Sequence, residues 1–253
     1  MNTEQASPEH HDARVWQSAP LAAKYVNEVR VALPLASEQI EMMLRIISAL
    51  NPGATRFLDL GCGSGILGAS VLNRFSASQC MFADFSPPML ETAKEALADY
   101  EGRTAFVEVD YGDSEWPSRV ENAAPFDAIV SGYSIHHQTH ERKREIYSEI
   151  YNLLSPGGVF INVEHVASAT PQLEDEWNEM LTDAIYETSI ANGKETTREK
   201  VFTELVDRPD KDANILAPVE DQCVWLGDIG YENVDCYLKV LELAVFGGQK
   251  PVG

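Results

Sequence analysis

The stretch FLDLGCGSG, residues 57–65, decides the fold. An apolar run ends in an acid and passes at once into a glycine-rich turn. Gly61, Gly63 and Gly65 form G-x-G-x-G between an expected strand (56–60) and an expected helix (66–75). Glycine suits such a turn because a Cβ would block the close approach of a ligand to the backbone. The turn alone admits phosphates, a dinucleotide, or an adenosyl group carrying no phosphate.

Outward from this turn, short apolar runs alternate with helical patterns. CMFAD (80–84) reads as a second strand, followed by Ser86 as N-cap and Pro87 at the first helical position. AFVEV (105–109) and FDAIV (126–130) read as the third and fourth strands. A helix over roughly 140–154 carries Ile146, Ile150, Tyr151 and Leu154 on one face; Ser155-Pro156-Gly157-Gly158 is expected to end it before a fifth strand, VFINVEHV (159–166). Upstream, Ile40, Met43, Leu44, Ile47 and Leu50 recur at helical spacing until Asn51-Pro52-Gly53. Strands and helices joined this tightly imply right-handed crossovers and a parallel sheet covered by helices on both faces. Ligands of such sheets sit outside the carboxyl ends of the strands. Those ends carry Asp59–Gly65, Asp84, Asp110, Ser131 and Glu164.

The alternation breaks near residue 168. Residues 171–209 are helical in pattern and acidic, with a stripe of Leu173, Trp177, Leu181 and Ile185. The stripe reads as a packing face, as the underside of a lid in which Trp177 or Tyr186 touches substrate, or as both. The chain then shows a helix near 218–228, Gly230, and two β-rich runs, YENVDCYL and KVLELAVFGG, that suggest a closing antiparallel hairpin. The expected organisation is a tail with lid helices (1–50), a ligand-binding core (51–167), a helical lid insertion (168–214), and a helix with hairpin completing the core (215–253).

Composition narrows the partners. Nineteen Lys and Arg stand against 40 Asp and Glu, a net charge of −21. Such a surface repels phosphate backbones and anionic lipid, so neither nucleic acid nor membrane is an expected partner. A small-molecule substrate and a monomer or homodimer are expected instead. Cys62, Cys80, Cys223 and Cys236 form no C-x-x-C pair, which argues against a zinc site and a disulfide framework. The polar opening MNTEQASPEHHD does not resemble a secretory signal, and no apolar run approaches the roughly 18 residues needed to span a bilayer. A cytoplasmic location is the expectation.

Three acids sharpen the reading of the glycine turn. Asp59 lies two residues before Gly61, where a carboxylate would repel a pyrophosphate but suit an ammonium group. Asp84, 23 residues after Gly61, ends the second strand and can accept hydrogen bonds from two ribose hydroxyls, a feature shared with NAD proteins. Asp110 ends the third strand and can accept from an adenine amino group. No basic residue stands among them, which fits a cationic adenosyl ligand. The dinucleotide turn G-x-G-x-x-G would need a glycine where Ile66 stands.

At this point the chain resembles the class I S-adenosylmethionine-dependent methyltransferases. FLDLGCGSG resembles their glycine motif, with Asp59, Gly61, Cys62 and Gly63 at the cofactor. MFADFSPPML resembles their second motif, which implies Asp84 on the ribose, Phe85 beside the adenine and Met89 packed on it. VEVDYGD resembles the adenine segment, with Asp110 and Tyr111. PFDAIVSGYSIHH resembles the fourth-strand motif, which implies Ser131 and Gly132 beside the methionine part, and LLSPGGVFI resembles the entry to the fifth strand. The resemblance covers residues 50–166 and implies an α/β, Rossmann-like, doubly wound seven-stranded sheet. That sheet is mostly parallel with a C-terminal antiparallel hairpin, and carries N-terminal helices and a helical lid insertion. It also implies S-adenosyl-L-methionine as the cofactor and metal-independent methyl transfer to a small molecule.

For a proton acceptor, SGYSIHHQTH (131–140) is the segment of interest. His136 and His137 follow the fourth strand, and an imidazole there can take a proton near neutral pH. Tyr133 shapes the same pocket. The H-H-x-x-H spacing also resembles a metal site, but the run holds no acidic ligand and the expected cofactor needs no metal. Of Glu164 and His165, strand alternation sends only one toward the site. Arg30, in YVNEVRVALP (25–34), would meet the cofactor carboxylate if that segment folds over it. A carboxy-S-adenosylmethionine synthase has a similar layout and uses a C-terminal arginine, for which Arg198 and Arg208 are candidates. A non-catalytic binding protein on the same scaffold is the other alternative.

Overall fold

The computed structural model describes residues 32–207 and 213–253. Its elements are α1 (Ala36–Leu50), β1 (Arg56–Leu60), α2 (Ile66–Arg74), β2 (Gln79–Asp84), α3 (Pro87–Ala96), β3 (Thr104–Glu108) and β4 (Phe126–Gly132). There follow α4 (His140–Leu153), β5 (Leu154–His165), α5 (Pro171–Ala191), α6 (Arg198–Val206), α7 (Val219–Ile229), β6 (Glu232–Val240) and β7 (Leu243–Gln249).

Seven strands form one sheet in the order β3-β2-β1-β4-β5-β7-β6. The first five are parallel, and β7 pairs antiparallel with both β5 and β6. The sheet is therefore Rossmann-like and doubly wound, with the expected hairpin at one edge. The order in which strands are added reverses between β1 and β4, and a crevice opens outside the carboxyl ends of strands at such a switch point. The glycine turn and the histidine turn lie at those two ends.

Helices cover both faces. On one, Met43 and Ile47 of α1 join Val71 of α2 and Leu90 of α3 against Phe57, Phe82, Val130 and Val159 of the sheet. On the other, Ile146, Tyr147 and Ile150 of α4 and Leu226 of α7 cover Leu58, Leu60, Ile129 and Phe160. The apolar spacing of α1 is thus spent on the core. Each buried side chain of this size contributes roughly 1.5–3 kcal/mol.

Two local expectations differ from the structure. The fifth strand starts at Leu154, not 159, because Leu154 already pairs with Phe126. Pairing then jumps to Ala128 with Val159, so residues 155–158 bulge out of the strand. Gly157 takes φ of 78° there, and Gly158 leaves no room for a Cβ, which would lie 2.8 Å from Ser155 O. The apolar stripe of α5 is also shorter than its spacing suggests. Trp177 and Leu181 pack with Leu205 and Leu243, but Leu173 in the first turn is exposed.

Residues 167 and 217 bracket the helical insertion. The Ala167 N–H donates to Ala217 O at 3.1 Å, so the insertion leaves and rejoins the core at neighbouring points.

Candidate functional site

The glycine turn is held open by its own backbone. Gly61, Gly63 and Gly65 have φ of 68°, 52° and 83°, a region that costs other residues about 1–2 kcal/mol. The N–H groups of Gly61 and Cys62 donate to Ala83 O on β2. A Cβ at Gly61 would overlap Ser134 Oγ, whereas a Cβ at Gly63 would meet nothing within 4 Å. Space beside Gly63 is thus open to a ligand. Cys62 is buried, and burial together with Asp59 and Asp84 pushes its thiol well up, so it stays protonated.

Asp59 is buried, and its Oδ2 accepts from Gly68 N–H at 2.8 Å, a bond that anchors the first turn of α2. Asp84 Oδ2 accepts from Gly63 N–H at 2.8 Å and Oδ1 from Ser86 N–H at 2.9 Å. Burial raises the Asp84 carboxyl against these two bonds and a third from the Phe85 backbone. A carboxylate offers about four acceptor sites, so it retains capacity for a hydroxyl donor. Asp110 is exposed, two residues beyond β3, and accepts from Gly112 N–H. It lines an open cleft of about 490 Å³ with Phe85, Val109 and Trp116. Met89 is buried on the inner face of α3. Tyr111 is fully packed: its hydroxyl meets Ser134 Oγ, its carbonyl accepts from Arg142 of α4, and burial pushes its phenol up.

The end of β4 carries less side-chain chemistry than its motif suggests. Ser131 Oγ donates to Leu60 O at 2.7 Å and is buried between strands. Gly132 makes room for Leu67, whose Cδ1 would lie 2.7 Å from an added Cβ. Tyr133 takes φ of 51°, which turns its ring toward α1; its hydroxyl donates to Gln39 Oε1 at 2.5 Å. Trp177 sits inside the packing of the insertion, its ring 5.7 Å from that of His165. Arg30 and Arg208 lie outside the described residues.

His136 and His137 share a short 3-10 turn, Ile135–His137, with ring centroids 4.0 Å apart. His136 is buried. Its Nδ1 is 2.6 Å from Glu164 Oε1, and its backbone N–H donates to Glu164 Oε2 at 3.1 Å. The His165 N–H and Asn162 Nδ2 complete the donor set. Burial alone would raise the Glu164 carboxyl; His136, these hydrogen bonds and Lys143 outweigh it and hold it low. An ionised carboxylate only accepts, so the His136 Nδ1 that faces it is the donor of this bond. His165, expected to turn away if Glu164 faces the site, also reaches the cluster. Its ring lies edge-on to His136 at 5.6 Å, with Nε2 2.5 Å from Glu242 Oε2.

His137 is tied elsewhere: Nδ1 is 3.1 Å from Ala213 O, and burial and His136 hold its pKa well below the usual histidine value. His140 Nε2 is 3.2 Å from Leu216 O. The H-H-x-x-H spacing therefore splits across separate partners, and the described residues contain no cluster able to hold a metal ion. Lys143 is 1% exposed, and burial brings its pKa down to about 8 against the pull of Glu164. Two residues of this centre escape a sequence reading, Lys143 and the partnership of Glu164. Lys143 did leave a signal, since it stands one turn before Ile146 and Tyr147 on the buried stripe of α4.

The open space at Gly63, the remaining acceptor capacity of Asp84 and the cleft at Phe85 and Asp110 fit an adenosyl group. Comparison with known proteins agrees. Residues 58–160 match the model of a family described as "Methyltransferase domain". Over 104 residues the chain is 35% identical to malonyl-[acyl-carrier protein] O-methyltransferase 1 of Ilyobacter polytropus, covering 40% of this chain and 34% of that one. It is 25% identical over 239 residues to carboxy-S-adenosyl-L-methionine synthase of Desulforapulum autotrophicum, covering 91% and 89%. Human N-acetylserotonin methyltransferase, solved with S-adenosylmethionine, superposes with a TM-score of 0.61 at 13% identity, covering 98% of this chain and 60% of that one. The chain thus spans about a third of the first relative and three fifths of the solved one. The glycine cradle and the acids at β2 and β3 thus lie in a stretch, residues 58–160, that matches a methyltransferase domain, and they fit S-adenosylmethionine as its cofactor.

Proposed function

We propose that this protein transfers the methyl group of S-adenosylmethionine to a small-molecule acceptor, with His136 taking the acceptor's proton. The observation that carries the reading is the buried His136–Glu164 pair, placed at the ends of β4 and β5 beside the cradle. When bound, the cofactor supplies a methyl group already made electrophilic by its sulfonium. The protein's task is to place a nucleophile in line, and orientation of that kind supplies up to roughly 7–11 kcal/mol. Asp84, Asp110 and Phe85 hold the adenosyl end, and the Gly63 backbone admits it closely. Glu164 fixes the tautomer and orientation of His136, so that Nε2 receives the proton of a hydroxyl or ammonium acceptor. Tyr133 and the insertion helices α5 and α6 wall the acceptor space. The charge of −21 disfavours a polyanionic acceptor.

Incubation with methyl-labelled S-adenosylmethionine and a metabolite extract tests this. A labelled small molecule is expected from the wild type and much less from His136→Gln; binding without any labelled product would overturn the reading. A second reading, carboxy-S-adenosylmethionine synthesis, draws on similarity to such a synthase over 91% of the chain. Against it, Arg198 is engaged by Glu179 and by Asp183 (2.6 Å) between α5 and α6. The mass of the ligand retained through purification separates the two, because the carboxylated cofactor is heavier.

A further inference from the structure

Lysines are almost never fully buried unless paired. Lys143 is, and its partners are backbone carbonyls. Its Nζ donates to Gln138 O at 2.5 Å, to Ile215 O, and at 3.4 Å to His136 O. His136 belongs to the histidine turn and Gln138 caps its end, where the carbonyls have no helix to continue into. Ile215 belongs to the segment returning from the insertion, and its own N–H donates to His136 O at 2.9 Å. One ammonium thus joins the histidine turn to the root of the insertion.

The same ammonium stands in a buried charge arrangement. Glu164 and His165 of β5, His137 on the same turn, and Lys143 of α4 surround or adjoin His136. Burial keeps the phenols of Tyr111 and Tyr147 protonated and His137 unprotonated. Glu242 is spent on His165 and Ser168. Among the described residues, the carboxylate facing His136 therefore has one cationic side chain acting on it besides the imidazole, Lys143. Removing that cation leaves the imidazole as the remaining cationic partner of the buried Glu164 carboxylate, beside its neutral donors, which favours the protonated ring.

We propose that Lys143 is a positioning residue whose charge balances Glu164, keeping His136 unprotonated and able to accept, while its carbonyl bonds lock the histidine turn to the insertion. This rests on His136 as proton acceptor, but its test needs no acceptor molecule. The protonation of His136 is followed by NMR of ring-labelled full-length protein across pH, with His136→Gln assigning the signal. In Lys143→Met the titration midpoint should rise by about one pH unit or more. Lys143→Gln, which keeps a donor for the carbonyls but no charge, should show the same rise, and carries the test if the methionine variant does not fold. Adding Glu164→Gln to either should cancel the rise. A midpoint unchanged in the folded lysine variant overturns the proposal. The expected titrations in a protein that methylates nothing would sink the transferase reading and leave this one standing.

Discussion

His136 and Glu164 are joined twice, ring to one carboxylate oxygen at 2.6 Å and backbone N–H to the other at 3.1 Å. The double attachment fixes the imidazole in position and orientation. Because the folded state holds the Glu164 carboxyl low, its stabilising contribution is full above the ordinary glutamate value of 4.5 and is lost as pH falls through the lower folded value. Glu164→Gln should therefore cost about 1–3 kcal/mol at neutral pH, and the gap to wild type should close on acidification. Urea unfolding at a series of pH values checks this; a gap independent of pH would refute the ionised pair.

The two neighbouring glycines should behave oppositely on substitution. Gly61→Ala collides with Ser134 and should destabilise the fold, read as a lowered Tm. Gly63→Ala finds open space, so its cost to stability should be only the backbone term of about 1–2 kcal/mol. Its S-adenosylmethionine affinity should fall much further, because the added methyl group occupies ligand space. Calorimetry alongside thermal melts separates the two effects, and full affinity in Gly63→Ala would remove the cradle assignment.

Asp84→Ala should weaken S-adenosylmethionine binding by about 1.5–3 kcal/mol, the loss of a charged hydrogen-bond acceptor. Asp84→Asn should recover part of that loss, since an amide oxygen still accepts. Equal affinity in wild type and Asp84→Ala, measured by isothermal titration, would show that the ribose lies elsewhere.

His137 is already held neutral by burial, so it should not titrate in the working pH range. With an acceptor in hand, His137→Gln should keep the acid limb of the pH–rate profile where it is, and His136→Gln should abolish it with a loss of about 10²-fold or more in kcat. A displaced limb in His137→Gln would exchange the roles of the two histidines.

Much of this architecture was legible because local signals agreed. The glycine turn after an apolar strand, the alternation of strands with helices and the closing hairpin all pointed to one sheet, and the sheet is there. The site was legible only as residue types. Asp59 reads as a ligand for an ammonium group, yet its carboxylate spends a bond on Gly68, a contact that depends on how α2 docks. Ser131 likewise reads as a pocket residue and is turned between strands. The His136–Glu164 pair joins two strands across 28 positions, and no period or spacing announces which side chains will meet there. Strand alternation failed for His165 because Glu242, on the turn between β6 and β7, draws its ring back. Trp177 looked available on an apolar stripe, but α6 and the hairpin turn that stripe into an interior.

The joined feet of the insertion, Ala167 and Ala217, have an evolutionary consequence. A segment that departs and returns at adjacent points can be exchanged as a cassette while every strand keeps its register. The return foot at 213–217 cannot drift with it, being stitched to the histidine turn through Lys143, His137 and His140. Diversification should accumulate in α5 and α6, with the glycine turn and the histidine turn inherited unchanged.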